Sequence, residues 1–237
     1  MTEDKTIFIE YKFTLSDGKN LDYKVFLERF RAKQLDKFEY PGWTELWFKQ
    51  CTNCPLDTDE YSHCPVAIDI QDILTGFNEI LSFNTTAVRV ITPEREYFKH
   101  CDAKTGLRAL MGLVMATSRC PILSKMRGMA RYHLPFASID EIVFRMSSSY
   151  LLTQYYLHKD GKQADWDLKG LKKYYQDLRK LNNNFRDRIN LGRESDTNLS
   201  VLSTLFSISS LLAISLEHNL QEQKELFFDF PTEIPAV

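Results

Sequence analysis

The N-terminal part of the chain alternates apolar and polar residues with a period of two. Every second residue of Ile7–Leu15 is apolar, and the alternation resumes over Leu21–Leu27 after Asp17-Gly18. A period of two places alternate side chains on the same face of a β-strand, and Asp-Gly is a frequent hairpin turn. The pattern therefore predicts an antiparallel hairpin with one buried face.

Later segments follow helical spacing. Apolar residues within 70–81 predict a helix that packs on the sheet, and 87–91 predicts a further strand. From about Asp102 onward nearly every segment is typical of helix. A capping box at Ser138–Glu141 begins a helix that runs to about His158. Asp165 or Asp167 can cap a second helix that ends near Asn182, and Asp196 can cap a third that ends near Lys224. We expect an α+β fold, with a small antiparallel sheet followed by a mainly helical C-terminal half. The regions 1–100 and 101–237 form two domains or one continuous domain.

The last predicted helix contains Leu199–Leu216, a stretch of eighteen residues without a charge. A membrane span needs about 20 predominantly apolar residues, and the six serines and one threonine here make the segment only weakly hydrophobic. The segment is instead expected to lie in the protein interior or at a subunit interface. The second arrangement would make the protein a homo-oligomer.

Charge and cysteine usage exclude several classes of protein. The 30 basic and 32 acidic side chains give a net charge of −2, so no overall field favours nucleic acid or an anionic membrane. The acidic N-terminus lacks the pattern of a signal peptide, and five cysteines cannot pair completely as disulfides. We therefore expect a cytoplasmic protein with free or metal-bound thiols.

Three of the cysteines lie within fourteen residues and indicate a metal site. Cys51 and Cys54 form a Cys-x-x-Cys pair, and Cys64 follows His63. Two thiolates from one tight turn can converge on a tetrahedral ion, and zinc prefers sulfur and nitrogen ligands. The sequence thus predicts a structural zinc knuckle built from Cys51, Cys54, Cys64 and His63.

The fourth ligand of this site stays open, because adjacent His63 and Cys64 can reach one ion only with a cramped backbone. The other candidates are the acidic loop residues Asp57, Asp59 and Glu60, or His100 and Cys101 after the predicted strand. An iron–sulfur cluster, three unliganded cysteines and a thioredoxin-like Cys51–Cys54 pair are the alternatives. The thioredoxin-like interpretation is the weaker one, because such a motif begins a helix after a strand, whereas Pro55 and an acidic loop follow Cys54.

Several motifs resemble an uncharacterised bacterial family of unknown function. They are Cys-x-x-Cys-Pro-Leu at 51–56, His-Cys-Pro-Val-Ala at 63–67, and the segments 115–121, 129–136 and 149–155. The resemblance covers most of residues 1–220. It implies a bacterial origin but no activity, substrate or cofactor.

A second group of chemically versatile residues lies between Met115 and Phe136. Arg127 and Arg131 share a helix face at i and i+4, and His133 follows, so these three side chains could hold a small anionic ligand. Cys120 and His133 with nearby methionines could instead bind a soft metal, although a buried thiol and core methionines explain the same pattern. We expect a binding or regulatory module that acts on such a ligand or a protein partner. A thiol-redox or metal-dependent enzyme is the alternative.

Overall fold

The sheet has four antiparallel strands in the order β2-β1-β3-β4. The computed structural model describes residues 7–28, 39–192 and 196–227. The strands are β1 (Phe8–Leu15), β2 (Asn20–Phe26), β3 (Thr85–Ile91) and β4 (Glu96–Asp102). The predicted N-terminal hairpin is confirmed, with Tyr11 opposite Tyr23. Gly18 supplies the positive φ of 86° that its turn requires.

The described residues also form six α-helices. They are α1 (Pro65–Gly76), α2 (Ala103–Thr117), α3 (Arg127–Arg131), α4 (Ile139–Lys159), α5 (Lys169–Gly192) and α6 (Asp196–Gln223). The capping box of α4 is confirmed, because Ser138 Oγ accepts from the Glu141 N–H while Glu141 accepts from the Ser138 N–H. The expected α+β class with a helical C-terminal half is likewise confirmed.

The core begins where α2 lies across one face of the sheet. Alternate residues of β1 are buried on this face, including Tyr11 and Phe13. Gly106 of α2 permits close packing there, since a Cβ at this position would lie 2.7 Å from Phe13 Cε1 and 2.8 Å from a methyl carbon of Val88. Buried apolar residues from the sheet and the helices then form one cluster that extends to α5 and α6.

Several elements differ from the sequence-based predictions, and one of them is α1, which was expected within residues 70–81 but runs over Pro65–Gly76. Strand β4 was not predicted, because it lies at the edge of the sheet and most of its side chains are exposed, which leaves no apolar alternation to detect. Helix α5 was predicted to end near Asn182 but continues to Gly192. The three asparagines at 182–184 therefore lie within the helix, where Asn182 and Asn184 bond to other parts of the protein.

Helices α5 and α6 run antiparallel to each other. Lys172 near the start of α5 pairs with Glu217 near the end of α6 at 3.0 Å, and Asn182 further along α5 donates to Ser209 Oγ at 3.1 Å. The predicted helix over the uncharged segment is confirmed, and Val201, Leu212 and Leu216 in it are buried. The side chain of Leu199 lies outside the described residues. Of the helices that the structure describes, none combines the length and the apolar character needed to cross a membrane.

Candidate functional site

The three clustered cysteines occupy one loop and the start of one helix. The Cys54 N–H donates to the Cys51 carbonyl at 2.9 Å, which closes the tight turn between them. Cys64 precedes α1 as its N-cap, and its N–H donates to the Thr44 carbonyl at 2.8 Å. The loop thus returns on itself and places both parts of the motif at the same end of α1.

A fourth thiol, that of Cys120, lies beside the other three. Cys120 is buried in the connection between α2 and α3. The thiols of Cys51, Cys54, Cys64 and Cys120 interact electrostatically in every pairwise combination. Segments far apart in the sequence therefore bring four thiols close enough to interact electrostatically, and we call these four residues the thiol cluster.

One face of α5 holds the loop that carries Cys51 and Cys54. Asn53 donates to the Asp177 carbonyl at 3.1 Å, and the Cys51 thiol lies 4.0 Å from the Leu181 carbonyl. Asn184 accepts from both the N–H and the hydroxyl of Thr52, each at 3.1 Å. These contacts recur at the spacing of one helix face and fix the position of the turn.

Arg188, one turn further along α5, is buried beneath the same loop. Its side chain is 1% exposed and donates to the carbonyls of Trp43, Glu45 and Leu46 at 2.6–3.0 Å. Within the described residues its Nε has no hydrogen-bond partner, and the titratable groups that act on the guanidinium are the thiols of Cys64, Cys51 and Cys54. Arg188 reaches this position because α5 continues to Gly192 and so extends under the loop.

Burial keeps the thiols of Cys51, Cys64 and Cys120 protonated at neutral pH. It raises the pKa of Cys51 to about 12 and that of Cys120 to about 11, and it also raises the pKa of Cys64 against the opposing effect of the Arg188 charge. The N–H groups two and three residues after Cys64 and after Cys120 favour the ionised sulfur in each case, although Cys64 forms no capping hydrogen bond. Backbone N–H groups are thus directed toward the sulfurs of Cys64 and Cys120, but a protonated thiol offers them no negative charge.

The other residues considered as the fourth ligand have different surroundings. His63 contacts Ser62 Oγ through Nδ1 at 2.9 Å and packs on the Tyr40 ring. The three acidic loop residues, Asp57, Asp59 and Glu60, are exposed, and so is His100, whose ring meets the Phe98 ring edge to face. Cys101 is half-buried near the start of α2. Burial and then the charge of Asp102 raise the pKa of its thiol, and the charge of Lys99 opposes them. Cys120 is therefore the best-placed fourth sulfur.

The thiols of the cluster are not arranged as metal ligands in this structure. Within residues 7–28, 39–192 and 196–227, no group of three or more His, Cys, Asp or Glu side chains is arranged to hold a metal ion. Zinc–sulfur bonds of about 2.3 Å would require the sulfurs to approach each other further and to lose their protons.

The structure does not bring Arg127, Arg131 and His133 together at one cavity. His133 lines a cavity in the helical half and bonds to the Tyr11 hydroxyl through Nε2 at 2.5 Å. Burial, followed by the charge of Arg145, lowers the pKa of His133 to about 3. Arg131 is exposed, and neither Arg131 nor the half-buried Arg127 lines that cavity.

Sequence reasoning missed Cys120 and Arg188 as members of the site. Cys120 was grouped with the methionines and the histidine that follow it in sequence. One signal could have linked it to the cluster, because Cys54, Cys64 and Cys120 are each followed directly by proline. No comparable signal identified Arg188, whose role depends on the length of α5.

Comparisons with known proteins identify a family but no activity. A family model described as a domain of unknown function (DUF6901) matches residues 9–228. No curated protein and no solved structure matches the chain. The site must therefore be interpreted from its own chemistry.

Proposed function

Because the chain belongs to DUF6901, a family of unknown function, its role has to be inferred from its own residues, and we propose that it is a binding module braced by a structural zinc site. Cys51, Cys54, Cys64 and Cys120 are the proposed ligands. Four thiolates and a tetrahedral ion are a common composition for a structural site with no open position. His63, expected from the sequence as a ligand, is replaced by Cys120 in this proposal.

Arg188 is the observation that carries the proposal. A buried cation is costly unless a negative charge compensates it, and Arg188 lies close to thiols rather than carboxylates. A zinc ion bound by four thiolates carries a net charge of −2 and would supply that compensation. The backbone N–H groups directed toward Cys64 and Cys120 would also be satisfied better by thiolates than by neutral thiols.

The proposed site would join three parts of the fold. It links the loop before α1, the start of α1 and the connection between α2 and α3, and all of them pack near α5. Zinc binding contributes about 10–16 kcal/mol in small zinc-dependent peptides, so such a site can fix loops that hydrogen bonds alone hold weakly. A bracing role is favoured over thiol-redox catalysis, because a redox-active cysteine needs a lowered pKa and burial raises that of Cys51.

Metal analysis of single cysteine variants tests the proposal. The wild-type protein, purified without added metal, should contain about one zinc per chain. Serine substitutions at Cys51, Cys54, Cys64 and Cys120 should each lower the zinc content and its affinity in a chelator competition. Cys101→Ser is the matched control, because Cys101 lies on β4 and outside the cluster, and it should bind zinc normally.

Each other outcome has a definite meaning. If the purified protein contains iron and acid-labile sulfide, the same ligands hold an iron–sulfur cluster and not zinc. Normal zinc binding by Cys120→Ser would exclude Cys120 as a ligand, and normal binding by His63→Ala would agree with its exclusion. Failure of the wild-type chain to bind zinc after reduction and zinc addition would overturn the proposal.

A further inference from the structure

A cavity of about 200 Å³ lies in the helical half of the protein, and none of the four residues of the thiol cluster lines it. Residues from α2 to α6 and from the loop after α3 form its walls. Leu113, Leu178 and Leu212 on its walls are buried, whereas Met129, Leu134 and Phe136 are only partly buried. The cavity therefore has an interior part and a part that reaches toward solvent near the end of α3.

The walls are mainly apolar and include four methionines, at positions 115, 126, 129 and 146. Methionine side chains adapt to irregular shapes and are frequent at binding surfaces that accept more than one ligand. An apolar cavity of about 150 Å³ is large enough for benzene. The space here thus suits one ring or a short branched chain.

Gly112 leaves part of this space open. It lies within α2 and lines the cavity, and a Cβ added there would have no atom within 4 Å. A glycine inside a helix is destabilising relative to alanine. The chain therefore carries a destabilising residue at a position where a larger side chain would fill the cavity.

The buried part of the cavity contains an unsatisfied polar group. Tyr175 lines it, is 0% exposed, and its hydroxyl has no hydrogen-bond partner among the described residues. Leaving such a group unpaired is unfavourable, because its hydrogen bonds to water are lost and not replaced. A ligand with a polar substituent at this end would satisfy it.

Two arginines give the cavity an excess of positive charge. Arg108 and Arg145 line it, and no acidic residue does so in the described part of the chain. Asp102 acts on Arg108, and Glu141 acts on Arg145, but neither acid lines the cavity or forms an ion pair with its arginine. His133 is neutral at this site and adds a polar but uncharged group.

We propose that this cavity binds a small carboxylic acid with an apolar body, such as an aryl or branched alkyl acid. The apolar body fills the space beside Gly112, the carboxylate interacts with Arg108 and Arg145, and a polar substituent on the far side bonds to Tyr175. This site is separate from the zinc site, so either assignment can fail without the other.

Binding of benzoate, measured by calorimetry on the full chain, tests the proposal. Benzoate should bind saturably, and its neutral counterpart benzamide should bind at least about tenfold more weakly because a charge-assisted hydrogen bond is lost. Equal binding of the two compounds would contradict the role of the arginines. The absence of binding by benzoate and by all three hydroxybenzoates would overturn the proposal.

Two cavity variants locate the site. Gly112→Leu should fill the cavity and abolish benzoate binding while the protein stays folded, whereas Gly128→Leu on α3, also with open space around its Cβ, should bind normally. Benzoate binding by Gly112→Leu at the wild-type affinity would place the ligand elsewhere. Arg108→Met should weaken benzoate binding more than benzamide binding.

Tyr175→Phe tests the role of the Tyr175 hydroxyl at the buried end of the cavity. One of the three hydroxybenzoate isomers should bind the wild-type protein about two- to tenfold more tightly than benzoate does, and this preference should disappear in Tyr175→Phe. Benzoate itself should bind both proteins equally. A preference that persists in Tyr175→Phe, or no preference for any isomer, would exclude a role for this hydroxyl.

Discussion

Asn184 and Arg188 lie one turn apart on α5 and hold two separate stretches of the loop that carries the first two cysteines. Asn184 accepts two hydrogen bonds from Thr52, next to Cys51, and Arg188 donates to the main chain of Trp43, Glu45 and Leu46. Both side chains bond to the loop, so the loop is positioned by the helix as much as by its own turns.

Arg188→Met should lower the free energy of unfolding by about 3–5 kcal/mol, because it leaves three carbonyls without their donor. It should also weaken zinc binding, since the thiolates lose their compensating cation. Urea unfolding and chelator competition measure the two effects. Arg186→Met is the control on the same helix, with an arginine that pairs locally with Asn183 and Asp187, and it should change both quantities little.

Removal of His133 should make the protein less sensitive to acid. The pKa of His133 is lowered to about 3 in the fold, against 6.5 for an exposed imidazole, so between these values the unfolded chain binds a proton that the folded protein does not. Stability therefore falls as the pH decreases from 6.5 toward 3, by up to about 1.4 kcal/mol per pH unit.

His133→Gln, which can still bond to Tyr11, should show a shallower decrease than the wild type over this range. Comparison of unfolding free energies at several pH values measures the difference and cancels any acid-driven metal loss common to both proteins. His218→Gln, at an exposed position on α6, should behave as the wild type. Parallel pH profiles for His133→Gln and the wild type would contradict the prediction.

The N-terminus of α4 should depend on Ser138. Ser138→Ala removes the acceptor for the Glu141 N–H and should destabilise the protein by about 1 kcal/mol. Ser148→Ala, at an exposed position within the same helix, should have no cost because alanine is the better helix former. Thermal or urea unfolding of the two variants provides the comparison, and equal stabilities would argue against the capping box.

The packing of α6 should be sensitive to charge on its inner side. Leu205 packs against the core and lines the cavity, so Leu205→Asp should lower the unfolding free energy by about 2 kcal/mol or more. Ser203→Asp, at an exposed position of the same helix, is the matched control and should be tolerated. Tolerance of Leu205→Asp would show that this side of α6 is not packed as described.

The fold was largely predictable because its elements have strong local signals. Alternation from Ile7 to Leu15 and the Asp17-Gly18 turn defined the hairpin, and the Ser138–Glu141 pair fixed the start of α4. Strand β4 had no such signal, because an edge strand with exposed side chains needs no apolar alternation. The end of α5 was placed too early because asparagine has a low helix propensity, which the tertiary hydrogen bonds of Asn182 and Asn184 outweigh.

The site was only partly predictable from the sequence. Cys51, Cys54 and Cys64 are close in sequence, so their spacing indicated a common location. Cys120 lies 56 residues after Cys64, and its position beside the others depends on how the segment after α2 packs on α5, where Tyr174 donates to the Ile122 carbonyl. The cavity depends even more on tertiary packing, since Arg108, Gly112 and Tyr175 belong to no recognisable motif.

Helix α5 connects the two proposed sites as one continuous helix. One side of it bonds to the cysteine loop through Leu181 and Asn184, while Tyr175 and Leu178 line the cavity. A shift of the helix would alter both sites at once, so thermodynamic linkage between them is expected. If zinc changes the affinity for a carboxylic acid by some factor, the acid must change the affinity for zinc by the same factor.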